Sequence, residues 1–153
     1  MELPKISVKI ISSFFGAGYL PFIPGTFGSL AGLFIFYFIG DSPFVYTLSV
    51  FILMAAGFMS CAAAERVFKK KDAGCIVIDE VCGMLLSLAF LPYYNLRVLF
   101  AGFIVFRILD SLKPYPAGRL QGLEGSLGVM VDDIVAALYT NIILQAALRL
   151  ASF

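Results

Sequence analysis

Five apolar runs separated by short polar breaks organise this chain: residues 30–39, 44–64, 76–91, 96–109 and 129–150. The second is 21 residues without a charge, long enough as a helix to cross a hydrocarbon core of about 30 Å. The third is interrupted only by Asp79, Glu80 and Ser87, the fourth carries Arg97 and Arg107 near its ends, and the fifth holds the pair Asp132 and Asp133 near its start. The runs are continuous rather than alternating, which fits helices and not a barrel. The pattern predicts an all-α polytopic membrane bundle of about five helices, forming one domain over residues 1–153. The shorter runs are expected to be extended by their polar flanks or to enter only part way.

The opening segment has a different period. Ile6, Ile10 and Phe14 recur on one helical face while the lysines and serines fall mostly elsewhere, as in an amphipathic helix lying in the membrane interface. No long apolar run follows the lysines and no small-residue cleavage site appears, so it does not read as a signal peptide.

Composition strengthens the membrane reading. Hydrophobic residues make up 61% of the 153 and charged residues 14%, against about 45–50% and 25% in soluble proteins; mean hydropathy is +0.97. A soluble domain of this size has too high a surface-to-volume ratio to hide so much apolar surface. The same figures exclude disorder, and a net charge of +1 argues against a nucleic-acid partner. The sequence contains no histidine, which removes imidazole as base, nucleophile or ligand. Cys61, Cys75 and Cys82 have no metal-binding spacing and read as small buried hydrophobes.

With five crossings, segments 1–29, 65–78 and 107–128 share one side. They hold Lys5, Lys9, Arg66, Lys69, Lys70, Lys71, Arg107, Lys113 and Arg119, nine of the 11 basic residues, which puts that side in the cytoplasm. Asp79, Glu80, Asp110, Asp132 and Asp133 lie near the same ends of three separate helices. Five carboxylates meeting there would repel one another unless cations sit among them. Oxygen ligands without histidine or cysteine suit Mg²⁺, Mn²⁺ or Ca²⁺ and not zinc. Each acidic pair could also be a helix N-terminus favoured by the macrodipole, but ionisable groups at membrane depth are costly and usually functional.

Two further features flank the acids. The Gly/Pro-rich stretch 16–30 reads as a loop in which Thr26 or Ser29 caps the helix that follows. Its exposed N–H groups could receive a phosphate, or it could simply cap a membrane helix. Arg107 and Asp110 are i,i+3 neighbours and could be an ordinary ion pair, while Lys113 before Pro114 is placed like a phosphate-binding cation or a snorkelling lysine.

Four ordered blocks then carry a resemblance covering nearly the whole chain. They are Pro24-Gly25-Thr26-Phe27-Gly28-Ser29-Leu30; Ile76-Val77-Ile78-Asp79-Glu80 with Gly83; Phe106-Arg107-Ile108-Leu109-Asp110 with Lys113-Pro114-Tyr115-Pro116; and Gly128-Val129-Met130-Val131-Asp132-Asp133. Together they resemble the signature blocks of the phosphatidylglycerophosphatase A family of bacterial inner-membrane lipid phosphatases. The resemblance implies Mg²⁺-dependent removal of the terminal phosphate of phosphatidylglycerophosphate, in the cytoplasmic leaflet where that lipid is made. Two departures stand out. Gly125-Ser126-Leu127-Gly128 replaces a Gly-Gly pair, and Lys71-Asp72-Ala73-Gly74 lacks the histidine many members carry, so no essential loop histidine is implied.

The expected site therefore has Asp79, Glu80, Asp132 and Asp133 as Mg²⁺ ligands and Asp110 as a further ligand or base. Gly25, Thr26, Gly28, Ser29, Arg107 and Lys113 would hold the phosphate. Attack by water and an aspartyl-phosphate intermediate both remain open. Other phosphatase chemistries do not fit: four residues, not five, separate Cys61 from Arg66, no Asp-x-Asp-x-Thr motif occurs, and catalytic histidines are absent. A cation-coupled transporter and a structural membrane-assembly protein are the alternative classes; acids gathered at one end of the helices speak against transport.

Overall fold

The computed structural model describes residues 4–151. Its regular elements, among these residues, are seven α-helices: α1 (Lys5–Ser12), α2 (Pro24–Ile39), α3 (Pro43–Phe68), α4 (Ile78–Ser87), α5 (Leu96–Leu112), α6 (Ala117–Leu120) and α7 (Ser126–Ala151). The all-helical expectation is met. The expectation of five spans is met only in part: α3 and α7, at 26 residues each, are long and apolar enough to cross a membrane. Helices α2, α4 and α5 have 16, 10 and 17 residues, or about 24, 15 and 26 Å at 1.5 Å per residue.

Helix α4 is the axis of the bundle, packed against α2, α3, α5 and α7. Eight of its ten residues are buried, which is why its side chains are apolar nearly all round. Around its outer half Val81, Met84, Leu85 and Leu88 meet Phe36, Leu99, Phe106 and Leu144. A second cluster joins its first residues to α1, α3 and α7 through Val8, Cys61, Ala64, Ile78 and Met130. The cysteines are free, and Cys61 and Cys82 are buried.

The stretch 24–29 is helix, not loop, which corrects the sequence reading. Pro24 begins α2, where its fixed φ suits the first helical position and its missing N–H is not needed. The residue before the helix is Ile23, with no side-chain cap. Ser29 is buried and its Oγ donates to the Gly25 carbonyl at 3.0 Å, so it does not cap α2. Gly25, Gly28 and Gly32 lie at helical spacing on the side facing α4. A Cβ at Gly32 would stand 2.7 Å from the Val81 carbonyl oxygen, and one at Gly28 would stand 2.9 Å from Val77. Close helix approach through small residues is how apolar helices pack where water supplies no drive.

Helix α4 stops at Ser87, and the chain continues to Asn95 without regular structure. That leaves carbonyls facing an apolar interior, where each unpaired group is costly. Side chains take them. Tyr46 Oη donates to Leu85 at 2.6 Å. Asn141 Nδ2 donates to Ser87 at 3.1 Å and Ala89 at 2.8 Å, and Gln145 Nε2 donates to Phe90 at 2.8 Å. Irregular backbone at membrane depth is tolerated where protein satisfies it in this way.

Helix α1 also differs in detail. Val8 and Ser12 face inward while Ile6 and Ile10 are exposed. Helix α1 ends before Phe14, whose positive φ of 44° turns the chain back so that its ring packs on both apolar clusters. Exposed aromatic and aliphatic side chains, among them Phe34, Phe51, Phe100, Ile142 and Leu150, cover the outer surface. So extensive an apolar surface marks contact with lipid or protein.

Asn141→Leu should lower the melting temperature of the purified protein by several degrees, since the Ser87 carbonyl loses its donor, at about 1–3 kcal/mol, and Ala89 keeps only the longer bond from Gln145 Nε2 at 3.3 Å. Ile142→Ala, on the exposed side of the same helix, should shift it little. Equal melting of the two variants in a thermal-shift assay would contradict the role assigned to the amide.

Candidate active site

Every carboxylate singled out from the sequence lies at the end of the bundle where α2, α4 and α7 begin and α5 ends. The loops at that end are tied together: the Val77 N–H donates to the Ser12 carbonyl at 2.9 Å, Gln121 Nε2 donates to Asp72 at 3.0 Å, and Ser126 Oγ donates to the Phe58 carbonyl at 2.6 Å. The opposite end holds Asp41, which accepts from the Tyr94 hydroxyl.

Asp79 and Glu80 stand in the first turn of α4, and Asp133 on the early turns of α7. Each of the three offers an oxygen within 4.8 Å of the other two. Asp79 and Asp133 are only 6% and 3% exposed, so the trio lies under the surface. Gly83 makes room beside the trio for α5: a Cβ there would lie 2.6 Å from the Phe106 ring, while the Asp133 carbonyl oxygen of α7 stands at an ordinary 3.4 Å.

The other two acids are paired with cations. Arg107 Nη1 donates to Asp110 Oδ2 at 2.6 Å within α5, and Lys113 Nζ donates to Asp132 Oδ2 across to α7. Lys113 caps α5 in the left-handed region at φ 45°, a conformation that lysine adopts at some cost. Arg107 Nη1 and Glu80 Oε1 both lie against the place a Gly25 Cβ would fill, and Asp132 adjoins Asp133 in the chain, so the ion pairs border the trio.

The N-terminal turn of α2 closes the site. The place a Cβ of Gly25 would fill is occupied by Glu80 Oε1, with Arg107 Nη1 3.4 Å away. Glycine lets the α2 backbone lie here without displacing the Glu80 carboxylate, which a Cβ would push aside. Of the expected phosphate-holding residues, Gly25, Arg107 and Lys113 thus surround the acids. Gly28 and Ser29 are buried in the packing of α2 on α4, and the Thr26 N–H is bonded to the Ile23 carbonyl at 3.0 Å. Of the four expected metal ligands, three converge and Asp132 stands with Lys113.

Within the cluster itself the charges do not balance: five acids stand with two cations, Arg107 and Lys113. Asp79 Oδ1, Glu80 Oε2, Asp132 Oδ1 and Asp133 Oδ2 are buried without a hydrogen-bond partner. Acids that merely cap helix N-termini would have their oxygens on backbone N–H groups. A buried, unpartnered carboxylate oxygen is strongly disfavoured unless a proton or a cation joins it. An all-oxygen donor set of this kind fits a hard divalent cation such as Mg²⁺.

Sequence reasoning did not identify Tyr46, Asn141 and Gln145, which support α4 from its far end. Polar amides four residues apart in an otherwise apolar run were the available signal.

Comparison with known proteins places the chain in a family. The family described as Phosphatidylglycerophosphatase A matches residues 10–148. A relative in Escherichia coli K12 named Phosphatidylglycerophosphatase A is 39% identical over 124 residues, covering 80% of this chain and 72% of its own. A relative of the same name in Haemophilus influenzae is 34% identical over 154 residues, covering 94% and 93%. A Bacteroides thetaiotaomicron protein whose provisional name is phosphatidylinositol-3-phosphatase is 28% identical, covering 96% and 97%. No solved structure matches the chain. With the family matched across nearly all its length, the chain belongs to the phosphatidylglycerophosphatase A family.

Proposed function

We propose that this protein hydrolyses phosphatidylglycerophosphate to phosphatidylglycerol and inorganic phosphate, using Mg²⁺, at the cytoplasmic face of a bacterial membrane. The observation that carries the reading is the trio Asp79, Glu80 and Asp133, whose unpartnered buried oxygens adjoin Arg107, Lys113 and the α2 backbone at Gly25. The sidedness is supported by nine of 11 basic residues falling in the segments at that end. Multi-pass insertion is supported by the apolar outer surface and the two long helices.

Asp79, Glu80 and Asp133 would hold the ion, and Asp132 has a free oxygen with which to join them. Bound there, Mg²⁺ supplies charge neutralisation on the phosphomonoester and a lowered pKa for water. The guanidinium of Arg107, steadied by Asp110, binds the equatorial phosphate oxygens beside Gly25 and stabilises the charge that develops on them. Lys113, oriented by Asp132, is a second cation for the same oxygens. Asp110 Oδ2 is committed to Arg107, so its Oδ1 is the atom free to take the proton of an attacking water. The water oxygen bonds to phosphorus as the P–O bond to glycerol breaks, and the proton held by Asp110 passes to the glycerol oxygen, which leaves as the free hydroxyl of the product lipid. The early turns of α2 and the buried walls of the trio limit entry of bulk water.

A transport role is disfavoured by the interior between the two ends. Phe36, Met84, Leu85 and Leu88 fill it, with no chain of ionisable groups leading from Asp133 to Asp41.

Asp133→Asn should reduce phosphate release from phosphatidylglycerophosphate by at least about 10²-fold, the scale of losing an electrostatic contact to the transition state, while the protein stays folded. Wild-type activity should vanish with EDTA and return with Mg²⁺. Normal turnover by the Asn variant would remove Asp133 from the chemistry. Faster release from phosphatidylinositol 3-phosphate than from phosphatidylglycerophosphate would reassign the substrate. Gly25→Ala sets a methyl group against Glu80 Oε1, so activity should fall well before thermal stability does. Full activity in that variant would show that the approach of α2 to Glu80 is dispensable.

A further inference from the structure

Beyond the phosphate site, an open apolar furrow of about 590 Å³ runs along the outside of the bundle between α2 and α5. Its α2 wall is Leu30, Leu33, Phe34 and Tyr37, and its α5 wall is Leu96, Leu99 and Phe100. No charged side chain lines it. We infer that this furrow seats one acyl chain of the lipid substrate, an inference that rests on the lipid-phosphatase reading above.

Helical phase ties the furrow to the site. On α2, Thr26, Leu30, Leu33 and Tyr37 follow one another at i, i+4, i+7 and i+11, so the wall runs directly into the first turn beside Gly25. On α5, Leu96, Phe100, Phe103 and Arg107 follow at the same helical spacing, so the opposite wall leads to the guanidinium. The two helices run antiparallel, and both walls reach the polar end together. A lipid whose phosphate lies on Arg107 therefore has its chains directed down this path.

Length agrees. Eleven residues separate Thr26 from Tyr37 and Leu96 from Arg107, or about 16 Å of helix. One leaflet of a hydrocarbon core about 30 Å thick has a depth of about 15 Å. The furrow is open along its side, since Leu30, Leu96 and Phe100 are 42%, 74% and 65% exposed, so a chain can enter laterally from the bilayer. A second apolar hollow lies against α3 and α4, lined by Val50, Phe51, Met54 and Leu86. Neither of its walls belongs to α5, the helix that carries Arg107.

The test is a comparison of chain lengths. Initial rates in mixed micelles are measured with dipalmitoyl and dihexanoyl phosphatidylglycerophosphate. Leu30→Trp, near the phosphate end, should raise KM about tenfold for the dipalmitoyl lipid, the effect of losing contact with about two buried methylenes. Leu96→Trp, at the far end, should impair the dipalmitoyl lipid and leave the dihexanoyl lipid within twofold of wild type. Leu138→Trp, exposed on α7, should change neither. Unchanged turnover of the dipalmitoyl lipid in both the Leu30 and Leu96 variants overturns the furrow alone, as does an equal loss on both lipids in the Leu96 variant. A wild-type protein that releases phosphate from neither lipid overturns the phosphatase reading and the furrow with it.

Discussion

Carboxylates taken out of water set the terms for the whole structure. Asp79, Glu80 and Asp133 are drawn together at one end of an apolar bundle, and several of their oxygens have no protein partner. Charge of one sign cannot be concentrated in a low-dielectric interior without a counter-ion or a proton. Arg107 and Lys113 relieve part of it, but each is already engaged by another acid, Asp110 or Asp132. The remaining excess negative charge is what the proposed divalent cation would neutralise.

Holding such a cluster requires a scaffold that does not relax away from it. Helix α4 is only ten residues long, yet it is the element every neighbour packs upon. Glycines at 28 and 32 let α2 lie against its side, and Gly83 lets the Phe106 ring of α5 close over it. Its broken end is secured by Tyr46, Asn141 and Gln145. A short buried helix fixed at both ends places Asp79 and Glu80 more firmly than a long lipid-facing one would, because close-packed interiors transmit little slack.

The acids were legible in the sequence because ionisable residues inside apolar runs stand out against their surroundings. Their sorting was not. Whether Asp132 or Asp133 joins the trio depends on the rotation of α7 about its axis, and one residue is 100° of turn. The start of α2 was misread because Pro24, Gly25 and Gly28 have the composition of a loop; their i, i+3, i+7 recurrence with Gly32 was the sign of a helix packing face. The end of α4 was hidden because Leu88, Ala89, Phe90 and Leu91 continue the apolar run without a break in hydropathy. Only Asn141 and Gln145, far along the chain, betray that carbonyls there need donors. Helix existence followed from local pattern, whereas helix length and the grouping of the acids followed from tertiary contacts.

The central claim is that the buried acids converge to bind a divalent cation. Manganese binding followed by electron paramagnetic resonance on the purified protein in lipid nanodiscs tests it most directly. The account predicts saturable Mn²⁺ binding that Mg²⁺ displaces and that an Asp79→Asn, Asp133→Asn double variant loses. Absence of saturable binding in the wild type, with an infrared carbonyl band marking these acids as protonated, would contradict it.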